Sequence, residues 1–109
     1  LTQPILYGNA TDPISGVDLS KIAVLLLNGR TTSATYWRAM ELFNDVTRRV
    51  ARESAVYMID LARELPKDSS LYIDFLHYSN KGSARIGEIV ARHLCPYLRE
   101  KFPEHANDG

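Results

Sequence analysis

Asp74 and His77 are the residues of this chain whose types and spacing point most directly to chemistry. A carboxylate that accepts from the Nδ1–H of an imidazole fixes the tautomer and orientation of the ring, which leaves Nε2 free to act as a general base. A separation of three residues lets both side chains lie on one side of a loop. The pair therefore predicts a base with its orienting acid. It also fits a structural role, as a cap on the helix that follows.

The nucleophile that such a pair would serve is missing from the sequence. No Gly-Asp-Ser or Gly-x-Ser-x-Gly turn occurs in the 109 residues. Ser79 lies two residues from His77, but serine is strongly preferred at helix N-caps, so we interpret Ser79 as a cap. The remaining serines in loops, the other two histidines and the cysteine receive no catalytic role: Ser15, Ser20, Ser33, His93, His105 and Cys95.

Composition and charge exclude several classes of function. Thirteen basic and thirteen acidic side chains balance, and no basic run exceeds Arg48-Arg49, so we predict no nucleic-acid partner. The longest apolar run, residues 22–27, is far shorter than the ~20 residues of a membrane-spanning helix, so we predict no membrane span. One cysteine forms no internal disulfide and has no metal-ligand spacing with the three histidines, so we predict neither a metal nor another cofactor.

Two helices are predicted to position the pair. The first carries an apolar stripe of about five turns, because its apolar residues recur every three or four positions: Tyr36, Met40, Phe43, Val46 and Val50. The second begins at Ser79 or Asn80 and turns Ile86, Ile89, Val90, Leu94 and Leu98 inward. Pro96 is expected to kink or split it, because a proline inside a helix costs ~3 kcal/mol.

The strands are less distinct. Thr2–Tyr7 and Ala55–Leu61 are apolar and of strand length, and the first helix lies between them, so strand, helix and strand predict a parallel sheet. Residues 18–28 fit a short helix, which we favour, or a buried strand. Two strands make a poor sheet, and parallel sheets are covered on both faces, so the chain is interpreted as part of a larger domain.

The run from Leu71 to Ala91 resembles the last sequence block of the SGNH (GDSL-type) hydrolases, in which Asp-x-x-His precedes a glycine and a long closing helix. Further segments resemble the second half of that family: Thr2-Gln3-Pro4, Asn44, Ala51-Arg52-Glu53 and Ile59-Asp60-Leu61. The resemblance covers nearly all of the chain and is weak between residues 8 and 35. The family's Gly-Asp-Ser and Gly-x-Asn-Asp blocks are absent from this sequence.

The resemblance implies a fold, an activity and roles for Asp74 and His77. The expected fold is α/β, a flavodoxin-like three-layer α/β/α sandwich with a parallel sheet, incomplete in this chain. Residues 1–109 would be the C-terminal part of one SGNH-hydrolase-like domain, with residues 8–35 as a variable lid region and residues 103–109 as a frayed tail. The expected activity is ester hydrolysis by a serine esterase or lipase, with Asp74 orienting His77 as the general base.

The resemblance also implies partners. The substrate would be an ester, and the nucleophilic serine and oxyanion-hole donors would come from an N-terminal segment or a second chain, so we expect the isolated polypeptide to be inactive. The alternative is a non-catalytic remnant or interaction module that pairs, with itself or another chain, through an uncovered sheet edge. Asn9-Ala10-Thr11 matches the N-glycosylation pattern and would permit secretion, but the sequence indicates no compartment.

Overall fold

Two long helices dominate the secondary structure of the chain, of which the computed structural model describes residues 1–26 and 29–105. In chain order the elements are β1 (Ala23–Leu26), β2 (Gly29–Thr32), α1 (Ser33–Glu53), α2 (Leu61–Glu64) and α3 (Asn80–Lys101), with 3₁₀ turns at Ser69–Leu71 and Pro103–His105. The two strands pair antiparallel, with Ala23 opposite Thr32 and Leu26 opposite Gly29.

Both predicted long helices are confirmed, and each begins at a hydroxyl cap. Thr32 caps α1 by accepting from the backbone N–H of Thr35, and Ser79 caps α3 by accepting from that of Gly82. Pro96 does not split α3, which continues through it to Lys101. The predicted tail, residues 103–109, begins with the Pro103–His105 turn, and residues 106–109 lie outside the described part of the chain.

The predicted three-layer sandwich with a parallel sheet is wrong for this chain. The described residues form one sheet, a two-stranded antiparallel hairpin, and neither Thr2–Tyr7 nor Ala55–Leu61 is a strand. Those two segments do lie side by side at one point, where Thr2 N–H donates to the carbonyl of Ile59 over 3.3 Å. One hydrogen bond does not make a ladder, because paired strands share a series of backbone hydrogen bonds along their length.

The favoured helix over residues 18–28 is also wrong. Residues 23–26 form β1, and residues 27 and 28 lie outside the described part of the chain. Asp18 closes a local turn instead of capping a helix, since its Oδ1 accepts from the backbone N–H of Ser20 over 3.0 Å. Pairing with β2 satisfies the backbone of this apolar run, whose propensity already favoured a strand as much as a helix.

The hydrophobic core lies between α2, the turn that follows it, and one face of α3. Its buried members are Ile59, Leu61, Leu65, Leu71, Tyr72 and Ile89. Leu6, Tyr78, Ile86 and Val90 are half-buried against this cluster. The inward prediction is therefore confirmed for Ile89 and wrong for Leu98, which is 41% exposed. The core sits directly beneath the segment that carries Asp74 and His77.

A buried ion pair fastens α1 to the chain ahead of α2. The Arg48 side chain, 5% exposed, holds Asp60 in a two-point contact, with Nε to Oδ2 at 2.8 Å and Nη2 to Oδ1 at 2.9 Å. Thr2 donates its hydroxyl to the same carboxylate over 2.8 Å. The guanidinium lowers the pKa of Asp60, so the carboxylate stays charged where it is partly buried. This network fixes the start of the chain against α1.

The C-terminal part of the apolar stripe of α1 does not face inward. Phe43 is 71% exposed and Val46 and Val50 are about half exposed, whereas Tyr36 and Met40 nearer the start of the helix are half-buried. The buried residues of α1 are Ser33, Asn44 and Arg48. The polar side of the helix is held by Gln3 and Asp60, which leaves the apolar side open from Phe43 to Val50.

Candidate active site

Residues 72–78 form a short closed loop that presents Asp74 and His77. An antiparallel bridge joins Tyr72 to Tyr78, and the backbone N–H of Ile73 donates to the carbonyl of His77 over 2.8 Å. Tyr72 is buried in the core, which anchors one end of the loop. The other end leads directly into the cap of α3. The loop is therefore tied at both ends while its tip stays at the surface.

Within this loop the Asp74 carboxylate makes three hydrogen bonds, two of them to His77. Its Oδ1 accepts from the backbone N–H groups of Leu76 and His77, each over 2.8 Å. Its Oδ2 lies 2.8 Å from Nδ1 of the His77 ring. Both oxygens are thus engaged, and the short spacing of the two residues closes an Asx-type turn around the carboxylate. The two residues singled out from the sequence are brought together with the geometry that orients an imidazole.

The orientation of the ring leaves its second nitrogen outward. With the proton on Nδ1 donated to Asp74, Nε2 carries the lone pair. The His77 side chain is 72% exposed, and no described residue hydrogen-bonds to Nε2. In this tautomer the exposed and oriented Nε2 can accept a proton from a hydroxyl that approaches from outside this surface.

Asp74 remains an anion over nearly the whole pH range. Hydrogen bonds from the His77 backbone, then from the Leu76 backbone and the His77 ring, lower the pKa of the Asp74 carboxyl to about 2. A carboxylate that stays ionised can accept from Nδ1–H and stabilise an imidazolium when one forms.

Two aromatic rings from outside the loop, those of Tyr7 and Tyr36, pack against its Phe75. Tyr7 stacks on Phe75 with centroids 5.1 Å apart, and Tyr36 of α1 meets Phe75 edge-on at 5.2 Å. The backbone N–H of Leu6 donates to the carbonyl of Phe75 over 2.9 Å. Burial, the Asp74 charge and Tyr36 together raise the pKa of Tyr7. Sequence reasoning missed Tyr7, since no local pattern marks a contact across so many residues.

A polar relay connects α1 to the residue after His77. Asn44 accepts from Gln3 N–H over 2.8 Å and donates to the Gln3 carbonyl over 2.9 Å, which is two-point binding of the backbone. Gln3 Nε2 donates to the Tyr78 hydroxyl over 2.8 Å, and that hydroxyl donates to the Pro4 carbonyl over 3.1 Å. The position of His77 therefore depends on α1 and on the first residues of the chain.

Ser79 is a cap, as predicted, and its hydroxyl is occupied. Ser79 Oγ donates to the carbonyl of Ser70 over 2.7 Å and accepts from Gly82 N–H over 3.1 Å. The other serines that were set aside hold local structure: Ser15 bonds Asp12, Ser20 bonds Asp18, and Ser33 accepts from the backbone of Ile22. Their hydroxyl contacts are all made away from the His77 ring.

The other titratable candidates lie elsewhere. His93 Nε2 is 2.6 Å from Glu64, which links α3 to α2, and Cys95 is exposed, not packed. Across residues 1–26 and 29–105, no three His, Cys, Asp or Glu side chains are placed to hold a metal ion. Within the same ranges, none of the helices has the length and apolar character needed to cross a bilayer.

Comparison with known proteins adds no family. No protein-family model, curated protein or solved structure matches this chain. The chemistry open to this chain is therefore indicated by the Asp74 and His77 geometry and by the resemblance of the surrounding sequence to the SGNH hydrolases.

Proposed function

We propose that this chain supplies the general base and its orienting carboxylate to an SGNH-type serine ester hydrolase. The observation that carries the proposal is the 2.8 Å contact between Asp74 Oδ2 and Nδ1 of a His77 ring that is 72% exposed. A structural ion pair at a helix entrance has no need of so open a ring.

The proposed reaction needs a serine from a polypeptide segment outside these 109 residues. His77 Nε2 takes the hydroxyl proton as the serine oxygen attacks the ester carbonyl carbon. The tetrahedral intermediate collapses, the alcohol leaves with the proton held by Nε2, and water releases the acyl group by the reverse sequence. Asp74 holds the imidazolium between these steps. A positioned base of this kind contributes ~10²–10⁴ to the rate.

The experiment is acetyl-ester hydrolysis by this polypeptide, alone and mixed with the polypeptide encoded upstream of Leu1. We expect no turnover alone, turnover on mixing, and loss of turnover in His77→Ala. His105→Ala is the matched control, because His105 is a comparably exposed imidazole, with a side chain 73% exposed. A fluorophosphonate reagent, which labels activated serines, should label the mixed partner and not the partner alone.

Turnover by the isolated chain would contradict the assignment, since it would require a nucleophile within these residues. Equal loss in His77→Ala and His105→Ala would show background hydrolysis by free imidazole instead of catalysis at a site. Failure of the serine reagent to label the mixture would remove the hydrolase proposal, whatever the binding between the two polypeptides.

The second candidate is an interaction module without catalysis. The exposed apolar residues of α1 favour it, because soluble monomers rarely expose large contiguous apolar patches. The expected surface is the α1 face, not the sheet edge anticipated from the sequence. Light scattering during size-exclusion chromatography tests self-association directly, and a monomer at all concentrations would contradict pairing of the chain with itself.

A further inference from the structure

The apolar side of α1 is open along its C-terminal half. Leu42 is 55% exposed, Val46 47% and Val50 50%, whereas the buried residues of the helix are polar. Amphipathic helices normally bury the apolar face and expose the polar one. In α1 the polar face is buried and the apolar face is exposed. The apolar face therefore has the composition of a surface that is covered by another polypeptide.

A groove runs between this face and the chain that follows the helix. It has a volume of about 350 Å³, and its apolar walls come from Leu1, Val46, Val50, Val56, Tyr57 and Met58. Val56 is 61% exposed and Tyr57 42%. The groove joins with the open side of α1 into one continuous apolar surface, which we call the α1 groove.

The backbone beside the α1 groove is available for pairing. Within the described part of the chain, the N–H groups of Tyr57, Met58 and Ile59 donate to no acceptor. Unpaired backbone groups are a template for a strand from another chain. In an extended segment the N–H groups of successive residues point to opposite edges, and the Ile59 edge faces Thr2, so the edge open to another chain is that of Met58. In such pairing the added backbone supplies hydrogen bonds and its alternate side chains enter the apolar pocket. The α1 groove therefore fits an extended segment better than a helix.

The charged residues at the edge of the α1 groove indicate which side chains the bound segment should carry. Arg52 and Arg63 lie beside Tyr57 and Met58, next to the α1 groove. Arg63 has Asp60 at 3.5 Å, but Arg52 pairs with no carboxylate among the residues that the structure describes. A segment with alternating apolar residues and a carboxylate facing Arg52 matches both the walls and the rim.

The α1 groove lies within reach of His77. Leu1 lines the groove, and Leu6 donates its backbone N–H to Phe75 in the loop that carries His77. Five residues of chain span at most about 18 Å, so a bound segment can continue to the catalytic loop within a few residues. A polypeptide docked here can bring a hydroxyl to Nε2.

We propose that the α1 groove docks an extended segment of the polypeptide that carries the nucleophilic serine. This inference rests on the proposed function, which requires that polypeptide. It assigns the missing half of the site a binding surface, formed by Val46, Val50, Val56 and Tyr57 and by the backbone of Met58.

The test is a calorimetric titration of this chain with the polypeptide encoded upstream of Leu1. We expect binding, slower amide hydrogen exchange at Met58 in the complex, and at least tenfold weaker binding for Val50→Lys. Leu98→Lys is the matched control, because Leu98 is a 41% exposed apolar residue on α3 away from the groove. Its affinity should equal that of the unaltered chain.

Four results would overturn the docking proposal. The first two are a lack of binding between the two polypeptides and the absence of a coding sequence upstream of Leu1. The third is equal affinity of Val50→Lys and Leu98→Lys for the partner. The fourth is a homodimer that Val50→Lys dissociates, because the occupant of the α1 groove would then be a second copy of the chain. Ester turnover on mixing with unchanged affinity in Val50→Lys would refute docking and leave the function standing. Binding through the groove without serine labelling would refute the function and leave docking standing.

Discussion

Gly82 is where the first turn of α3 touches the segment that leads into the loop carrying Asp74 and His77. A Cβ added at Gly82 would lie 1.9 Å from the carbonyl oxygen of Leu71, and contacts under 3.0 Å force a displacement. The obstacle is backbone, not the end of a flexible side chain. In Gly82→Ala the helix or Leu71 must therefore move by about 1 Å.

The expected cost follows from these contacts. Overpacking of this kind costs ~1–3 kcal/mol, and the displacement also weakens the hydrogen bond from Ser79 N–H to the Leu71 carbonyl, which spans 3.0 Å and contributes ~1 kcal/mol. The higher helix propensity of alanine offsets ~0.5–1 kcal/mol of this loss in stability. We expect Gly82→Ala to lower the free energy of unfolding by about 2 kcal/mol, which is roughly 10 °C in Tm for a chain of this size.

Gly87→Ala is the matched control, because Gly87 lies on the same helix and an added Cβ meets nothing within 4 Å. It should stabilise the chain by ~0.5–1 kcal/mol. Urea unfolding followed by far-ultraviolet circular dichroism measures both variants. In the ester assay with the partner polypeptide, Gly82→Ala should also lose turnover, since Leu71 adjoins the Tyr72 bridge. Equal stability of the two variants would refute the close approach of α3.

Three further outcomes are expected. Arg48→Met leaves the partly buried Asp60 carboxylate without its partner and should destabilise the chain by ~3 kcal/mol in urea unfolding; a loss under ~1 kcal/mol would place the pair in solvent. Burial lowers the pKa of Lys67 to about 8, so between pH 8 and its ordinary value of 10.5 the unfolded chain binds more protons than the folded one. The free energy of unfolding should therefore rise from pH 8 to 10, and this rise should vanish in Lys67→Met. The same rise in that variant would show that other groups cause it. Asp74→Asn removes the acceptor for Nδ1–H of His77 and should lower ester turnover with the partner by ~10²–10⁴ without unfolding the chain, whereas unchanged turnover would make the pair purely structural.

The local features of the site could be predicted because they depend on short-range geometry. A three-residue spacing places a carboxylate beside an imidazole in any tight loop, and Ser79 caps the next helix because its hydroxyl fits the first free N–H groups. Helical periodicity located both long helices. None of these inferences requires knowledge of which distant residues pack against the helices or the loop.

The support beneath the loop could not be predicted in this way. The Tyr7 and Phe75 stack and the relay from Asn44 through Gln3 to Tyr78 join residues far apart in the sequence. The residue types are ordinary, and only the folded chain selects which of them meet. The same holds for Gly82, whose need for a hydrogen atom in place of a side chain arises from the approach of Leu71.

The sequence by itself determined the two long helices, their caps and the adjacency of Asp74 and His77, because these follow from propensity and from spacing along one short segment. Only the tertiary structure decided which face of α1 is buried and where the chain forms a sheet. Arg48 and Asn44 turn the polar face of α1 inward because Asp60 and Gln3 satisfy them there, and this leaves Val46 and Val50 outside. A strand needs a partner for its hydrogen bonds, so residues 23–26 became one beside residues 29–32, and the apolar segment before Leu61 did not.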